Sequence, residues 1–173
     1  MSFNTLNLAP EILKAIQDAG YKEPTAIQKK AIPHILQKEH VLATAQTGTG
    51  KTGSFIMPLI EILNTGKAKS RMPRSLVLAP TRELAMQVSE EFNLINKHLK
   101  LQMALLIGGI SFVEQDNKLA KGVDVLIATP GRLLDHMERG KVILKDLKIL
   151  VIDKACLLYT TDAADDSLRV DLG

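Results

Sequence analysis

The 173-residue chain has no tryptophan, and only 3% of its residues are aromatic although 46% are hydrophobic. Its core must therefore be aliphatic, and it lacks the interleaved basic and aromatic residues that build stacking platforms for single-stranded bases. A single cysteine, Cys156, excludes an intrachain disulfide and a cysteine-rich metal cluster, and fits a reducing cytoplasm. The four histidines, His34, His40, His98 and His136, lack metal-ligand spacing and are assigned to surface or helix packing. No apolar run approaches the ~18–20 residues of a membrane span. The start, Met1-Ser2-Phe3-Asn4, does not read as a signal peptide. The expected location is cytoplasmic, with no membrane partner. The net charge of +3 comes without a basic tail. It is compatible with a nucleic-acid partner, but a solvated charged surface gives the same number.

What is present is an alternation of helical patterns and short apolar runs. Strands are predicted at Val41–Ala45, Ser75–Ala79, Met103–Ile107, Val125–Thr129 and Ile149–Asp153. Helices are predicted at Glu11–Ala19, Thr25–Leu36, Ser54–Leu63, Arg82–Leu99, Ser111–Ala120 and Arg132–Arg139, with a polar loop over Gly66–Arg74. The strands are continuous apolar runs, as expected of strands buried on both faces, which implies a parallel sheet covered by helices. The fold class is α/β.

The most informative stretch is Ala45-Gln46-Thr47-Gly48-Thr49-Gly50-Lys51-Thr52, between a strand and a helix. Such a turn aims backbone N–H groups and a helix N-terminus at phosphate oxygens. Lys51 is placed to neutralise the β- and γ-phosphates, and the Thr52 hydroxyl to ligate Mg²⁺. The pattern G-x-x-x-x-G-K-[ST] is met except at its first position, where Ala45 replaces glycine.

Polar clusters also close three of the other strands: Pro80-Thr81-Arg82-Glu83-Leu84-Ala85, Thr129-Pro130-Gly131-Arg132 and Val151-Ile152-Asp153. Upstream stand Phe3 and Gly20-Tyr21-Lys22-Glu23-Pro24-Thr25-Ala26-Ile27-Gln28. In order and spacing these motifs resemble the first RecA-like domain of a bacterial-type DEAD-box ATP-dependent RNA helicase, from about Phe3 to Ala155. The resemblance implies a RecA-like P-loop fold and the ligands ATP and Mg²⁺. It implies that Gln28 recognises adenine and Phe3 stacks on it, although Thr25-x-x-Gln28 also reads as a capping box and both roles can coexist. It places Pro80, Thr81, Arg82, Gly108, Gly109, Thr129, Pro130, Gly131 and Arg132 on an RNA-backbone surface. There glycines allow close approach and arginines fork onto phosphates, with little sequence readout. It also implies catalytic roles for Lys51 and Asp153, with Thr52 and Asp153 as the Mg²⁺ ligands.

The chain departs from the family at its last motif. Where Asp-Glu-Ala-Asp is expected it reads Asp153-Lys154-Ala155-Cys156. An ammonium at Lys154 cannot accept the proton of an attacking water. Residues 156–173 match nothing in the family and resemble a translated transposon adapter of the kind used in sequencing libraries. The reading is therefore of a partial first domain at residues 1–155, truncated at that motif, with a foreign, disordered tail at 156–173, Lys154 standing for a glutamate, and no second RecA-like domain. The sheet should be incomplete, because the family places another strand between those of Val41–Ala45 and Ile149–Asp153. The expected function is that of a monomeric helicase fragment that binds ATP·Mg and RNA, its parent coupling hydrolysis to local duplex unwinding. The alternatives are a non-hydrolysing ATP- and RNA-binding module, or no function as written.

Overall fold

Helix α1 (Pro10–Asp18) opens on a proline at its first position, where the missing N–H is not needed, and Gly20 follows its end at φ 77°. The computed structural model describes residues 2–46, 48–155 and 168–171. Its remaining elements are α2 (Ala26–Leu36), β1 (Val41–Thr44), α3 (Lys51–Leu63), β2 (Ser75–Leu78), α4 (Arg82–Ile95), β3 (Met103–Leu106), α5 (Phe112–Lys121), β4 (Val125–Ala128), α6 (Pro130–Glu138), β5 (Ile149–Ile152) and β6 (Leu168–Asp171). All five predicted strands and all six predicted helices are present. Among the described residues no helix is long and apolar enough to cross a membrane.

The chain divides into two compact units. The first comprises Met1–Asn64, Glu91–Lys100 and Asp162–Gly173. Its apolar faces, including Ile12, Ile16, Ile27, Ile32, Ile56, Leu59 and Ile60, are buried. Its sheet is a parallel pair, β1 with β6, in which Val41 faces Leu168 and Thr44 faces Asp171. Four residues of the segment expected to be a disordered tail, Leu168–Asp171, form β6. β1 offers a row of N–H and C=O groups that need partners, and the extended segment Leu168–Asp171 supplies them. The expectations for residues 156–167 and 172–173 fall outside the described residues.

The second unit comprises Thr65–Glu90 and Leu101–Thr161. Its four strands run parallel in the order β3-β4-β2-β5. Leu76, Leu106, Leu119, Leu126 and Leu133 form the centre of its core. β5 pairs only with β2 among the described residues, and Leu150 is 54% exposed. This sheet and the β1–β6 pair are separate ladders. Because all four strands are parallel, their carboxyl ends share one edge, where open α/β sheets hold ligands.

Candidate functional site

In the first unit β1 leads into the loop Ala45–Gly50 and thence into α3, whose first residue is Lys51. Gly50 is the N-cap of α3 at φ 82°, and Gly48 lies at φ 83°. A side chain at either would be strained. At Gly50 a Cβ would also come within 2.8 Å of Gln28 Nε2. The loop is tied by the Thr49 hydroxyl, which donates to the Gln46 carbonyl at 2.7 Å, and by the Lys51 ammonium, which donates to the Ala45 carbonyl. A phosphate at the N-terminus of α3 would compete with that carbonyl for the Lys51 protons. Thr47 lies outside the described residues. Thr52 sits in the first turn, half-buried. A glycine cradle, a lysine and a helix N-terminus form a donor set that fits a polyphosphate.

Gln28 is buried, with both ends of its amide engaged. Its Oε1 accepts from the Thr25 N–H at 3.0 Å, the capping-box bond, and its Nε2 donates to the Gly50 carbonyl at 3.1 Å. The capping role is therefore present, and the same side chain reaches the cap of the phosphate-loop helix. Phe3 is 6% exposed in a short 3₁₀ turn. A base can stack on it only after the ring turns outward. Two residues outside the quoted motifs, Glu91 and Gly53, join this group. Tyr21 Oη donates to the Glu91 carboxylate at 3.1 Å. A Cβ on Gly53 would lie 2.9 Å from Gln28 Nε2 and 3.3 Å from Glu91 Oε1. Burial pushes the Glu91 carboxyl up from its ordinary value, with the Tyr21 hydrogen bond acting in the opposite direction.

In the second unit the carboxyl edge of the sheet brings the remaining predicted residues together. In strand order it carries Gly108-Gly109 after β3, Thr129-Pro130-Gly131-Arg132 after β4, Pro80-Thr81-Arg82 after β2 and Asp153 after β5. Thr81, Arg82, Gly109 and Gly131 are exposed. Gly109 has φ 81°, a conformation that favours glycine, and a Cβ there would lie 2.8 Å from the exposed Arg82 guanidinium, which would have to move aside. Thr81 caps α4 through its hydroxyl, which accepts from the Leu84 N–H at 3.3 Å. Arg132, expected to fork onto phosphate, is held here by backbone carbonyls and an aromatic ring. Its Nε donates to the Ile107 carbonyl at 3.0 Å and its Nη2 to the Ile110 carbonyl at 2.7 Å, with the guanidinium 3.7 Å above the Phe112 ring. Asp153 is half-buried, with its N–H donating to the Leu78 carbonyl at 2.9 Å. Lys154, beside it, takes up the left-handed conformation at φ 51°.

His136 is fully buried on α6, in keeping with its assignment to helix packing. Its Nε2 lies 2.7 Å from Gln115 Oε1 and its Nδ1 3.1 Å from Asp116 Oδ1. Burial holds the imidazole below its ordinary pKa, while the Asp116 charge raises it and Arg132 and Arg139 lower it further.

The strand, glycine loop and helix of the first unit, and the polar carboxyl edge of the second, define a P-loop protein of the RecA-like α/β class. The profile of the DEAD/DEAH box helicase family matches residues 25–167, and the chain belongs to that family. The matched range passes the boundary drawn at Ala155 from the sequence. The chain is 42% identical over 173 residues to the ATP-dependent rRNA helicase RRP3 of Debaryomyces hansenii, covering 98% of this chain and 36% of that protein. It is 41% identical over 170 residues to the ATP-dependent RNA helicase DeaD of Mycobacterium tuberculosis, covering 98% and 30%. It spans about a third of the length of these curated relatives. Among solved structures, a DEAD box protein from Methanococcus jannaschii superposes with a TM-score of 0.83 at 40% identity, covering 91% of this chain and 42% of that one. The RNA helicase Prp28 from Chaetomium thermophilum bound to ADP gives 0.84 at 34%, covering 91% and 39%.

Proposed function

We propose that this chain is the nucleotide-binding part of an ATP-dependent RNA helicase, holding ATP at the Ala45–Thr52 loop and RNA along its phosphates at the carboxyl edge of the β3-β4-β2-β5 sheet. The observation that carries the reading is the joining of Gln28 to the cap of α3: one side chain links the segment assigned to adenine with the loop assigned to phosphate. Lys51 takes the charge of the phosphates, and Thr52 and Asp153 are the residues that would hold Mg²⁺. Bound there, the metal would neutralise charge on the phosphate oxygens. That a relative's structure carries ADP supports the same loop as a nucleotide site. Arg82 and the exposed glycines Gly109 and Gly131 offer charge and close backbone approach to an RNA strand, without base readout. A cytoplasmic location goes with this reading.

Lys154 favours a second reading for the chain as written, a module that binds ATP and RNA without hydrolysis, because position 154 offers no acceptor for the proton of an attacking water. Both readings share the binding step, which a direct titration with ATP and GTP tests. ATP should bind more tightly than GTP. Lys51→Ala should weaken both by about 10–100-fold, the scale of a hydrogen bond to a charged group. Equal affinity for the two nucleotides would remove the adenine role of Gln28 and Phe3. An unchanged affinity in Lys51→Ala would remove the phosphate site.

A further inference from the structure

The turn after β3 is braced from two helices. The Ile107 carbonyl accepts hydrogen bonds from Gln115 Nε2 on α5 at 3.1 Å and from Arg132 Nε on α6 at 3.0 Å. On the far side of Gly108-Gly109, the Ile110 carbonyl accepts from Arg132 Nη2 at 2.7 Å. Both carbonyls that bound the glycine pair are therefore fixed by side chains rather than by a strand ladder. Gln115 is itself buried and oriented: its Oε1 lies 2.7 Å from His136 Nε2. If Nε2 carries the proton, it donates to that oxygen, and the amide then has only one orientation, with its N–H₂ toward Ile107. Arg132 is oriented too, stacked 3.7 Å from the centroid of the Phe112 ring, which meets His136 at 5.1 Å. The chain of contacts runs from a fully buried imidazole, through an amide, to the carbonyl before Gly108.

We propose that Gln115 and His136 are positioning residues for RNA binding, holding the Gly108-Gly109 turn in the shape that presents its backbone to a phosphate. The proposal rests on the reading of that turn as RNA-facing. Glycine at position 109 sits at φ 81° against the Arg82 guanidinium, so the turn and the exposed cation share one surface. Two glycines in sequence have more backbone freedom than any other pair. Left unbraced, the turn would sample many shapes, and a phosphate would have to bind the rare productive one. The side chains that prevent this lie beneath the surface and make no contact with RNA.

The test uses the 173-residue chain, titrated with oligouridylate and followed by amide NMR, with the Gly108 and Gly109 signals as local reporters. Wild type should bind, and Arg82→Ala should bind at least 10-fold more weakly, the scale of one charge-assisted contact. Gln115→Leu keeps the buried volume and removes the bracing bond. It should weaken RNA binding about 3–10-fold, move or broaden the Gly108 and Gly109 signals, and leave ATP affinity unchanged. His136→Leu should do the same. His136→Gln, which retains an N–H toward Gln115, should restore most of the affinity and the wild-type glycine signals. The rescue separates positioning from general loss of folding. If Arg82→Ala weakens binding but Gln115→Leu and His136→Leu bind RNA as wild type does, the positioning role is wrong and the RNA-facing reading stands. If wild type shows no RNA-dependent shifts at the carboxyl edge, the underlying reading fails and the inference falls with it.

Discussion

The Asp124 carboxylate joins the starts of three strands. Its Oδ1 accepts from Arg74 Nε at 2.9 Å and Nη2 at 2.6 Å, just before β2, and its Oδ2 accepts from the Gln102 N–H at 2.8 Å, just before β3. Asp124 itself precedes β4. The pair is buried, so removing one partner leaves an uncompensated charge out of water. Asp124→Ala should cost about 3–5 kcal/mol of folding stability in denaturant unfolding, and the double variant Arg74→Met/Asp124→Leu should recover much of it. A change within about 0.5 kcal/mol, the range of ordinary surface substitutions, would show the pair to be energetically idle. His136 offers a pH test. Its pKa in the fold is lowered, chiefly by burial, so the unfolded chain takes up the proton first as pH falls. Its contribution to stability is complete above about 6.5 and declines as pH drops from there toward the lowered value. The difference in unfolding free energy between wild type and His136→Gln should therefore fall across that window, and a difference independent of pH would mean His136 does not titrate there. Neither Asp124 nor His136 belongs to a motif. A lone aspartate before a strand and a lone histidine on a helix acquire these partners through tertiary contacts between residues 21 to 50 positions apart, which no local pattern encodes.

The strands announced themselves as apolar runs, and each ends one residue earlier than its run because the last residue already turns into the polar edge. Helix α3 begins at Lys51, three residues before the apolar pattern at Ser54. Lys51, Thr52 and Gly53 carry no apolar signal, and the start is set by the left-handed Gly50 cap. The pairing of Leu168–Asp171 with β1 had no such signature, because parallel partners are chosen by edges that sequence periodicity does not reveal. Backbone exchange should follow the ladders. β2 is paired on both sides, by β4 and β5, and β4 by β3 and β2, whereas among the described residues β1 pairs with β6 alone. In hydrogen–deuterium exchange, amides of Leu76–Leu78 and Leu126–Ala128 should be the slowest, and those of Leu42–Thr44 faster. Protection of β1 equal to that of β2 would show that the two-stranded ladder is backed by more than β6.

At the scale of the molecule, the motifs of the family fall at the carboxyl ends of parallel strands, while the buried Arg74–Asp124 pair lies at their amino ends. The proposed RNA-facing residues and the buried ion pair thus lie at opposite edges of the four-stranded sheet, and a substitution at one edge is expected to leave the other's measurement in place. Chemistry is a separate question from binding. Under the proposed reading Lys51 and Thr52 hold the nucleotide, but position 154 carries an ammonium where the family resemblance calls for a carboxylate. An ammonium has three donors and no acceptor, so it cannot receive the proton that an attacking water gives up. Loss of a general base commonly lowers rate by about 10²–10⁴-fold. The 173-residue polypeptide should accordingly bind ATP yet release phosphate at close to the rate of buffer, with or without RNA. Lys154→Glu should leave ATP affinity within a few-fold of wild type, since the water-activating group stabilises the transition state rather than the bound nucleotide. RNA-stimulated phosphate release by the unsubstituted chain, measured at saturating ATP and abolished by Lys51→Ala to exclude a contaminant, would show that position 154 does not govern turnover here.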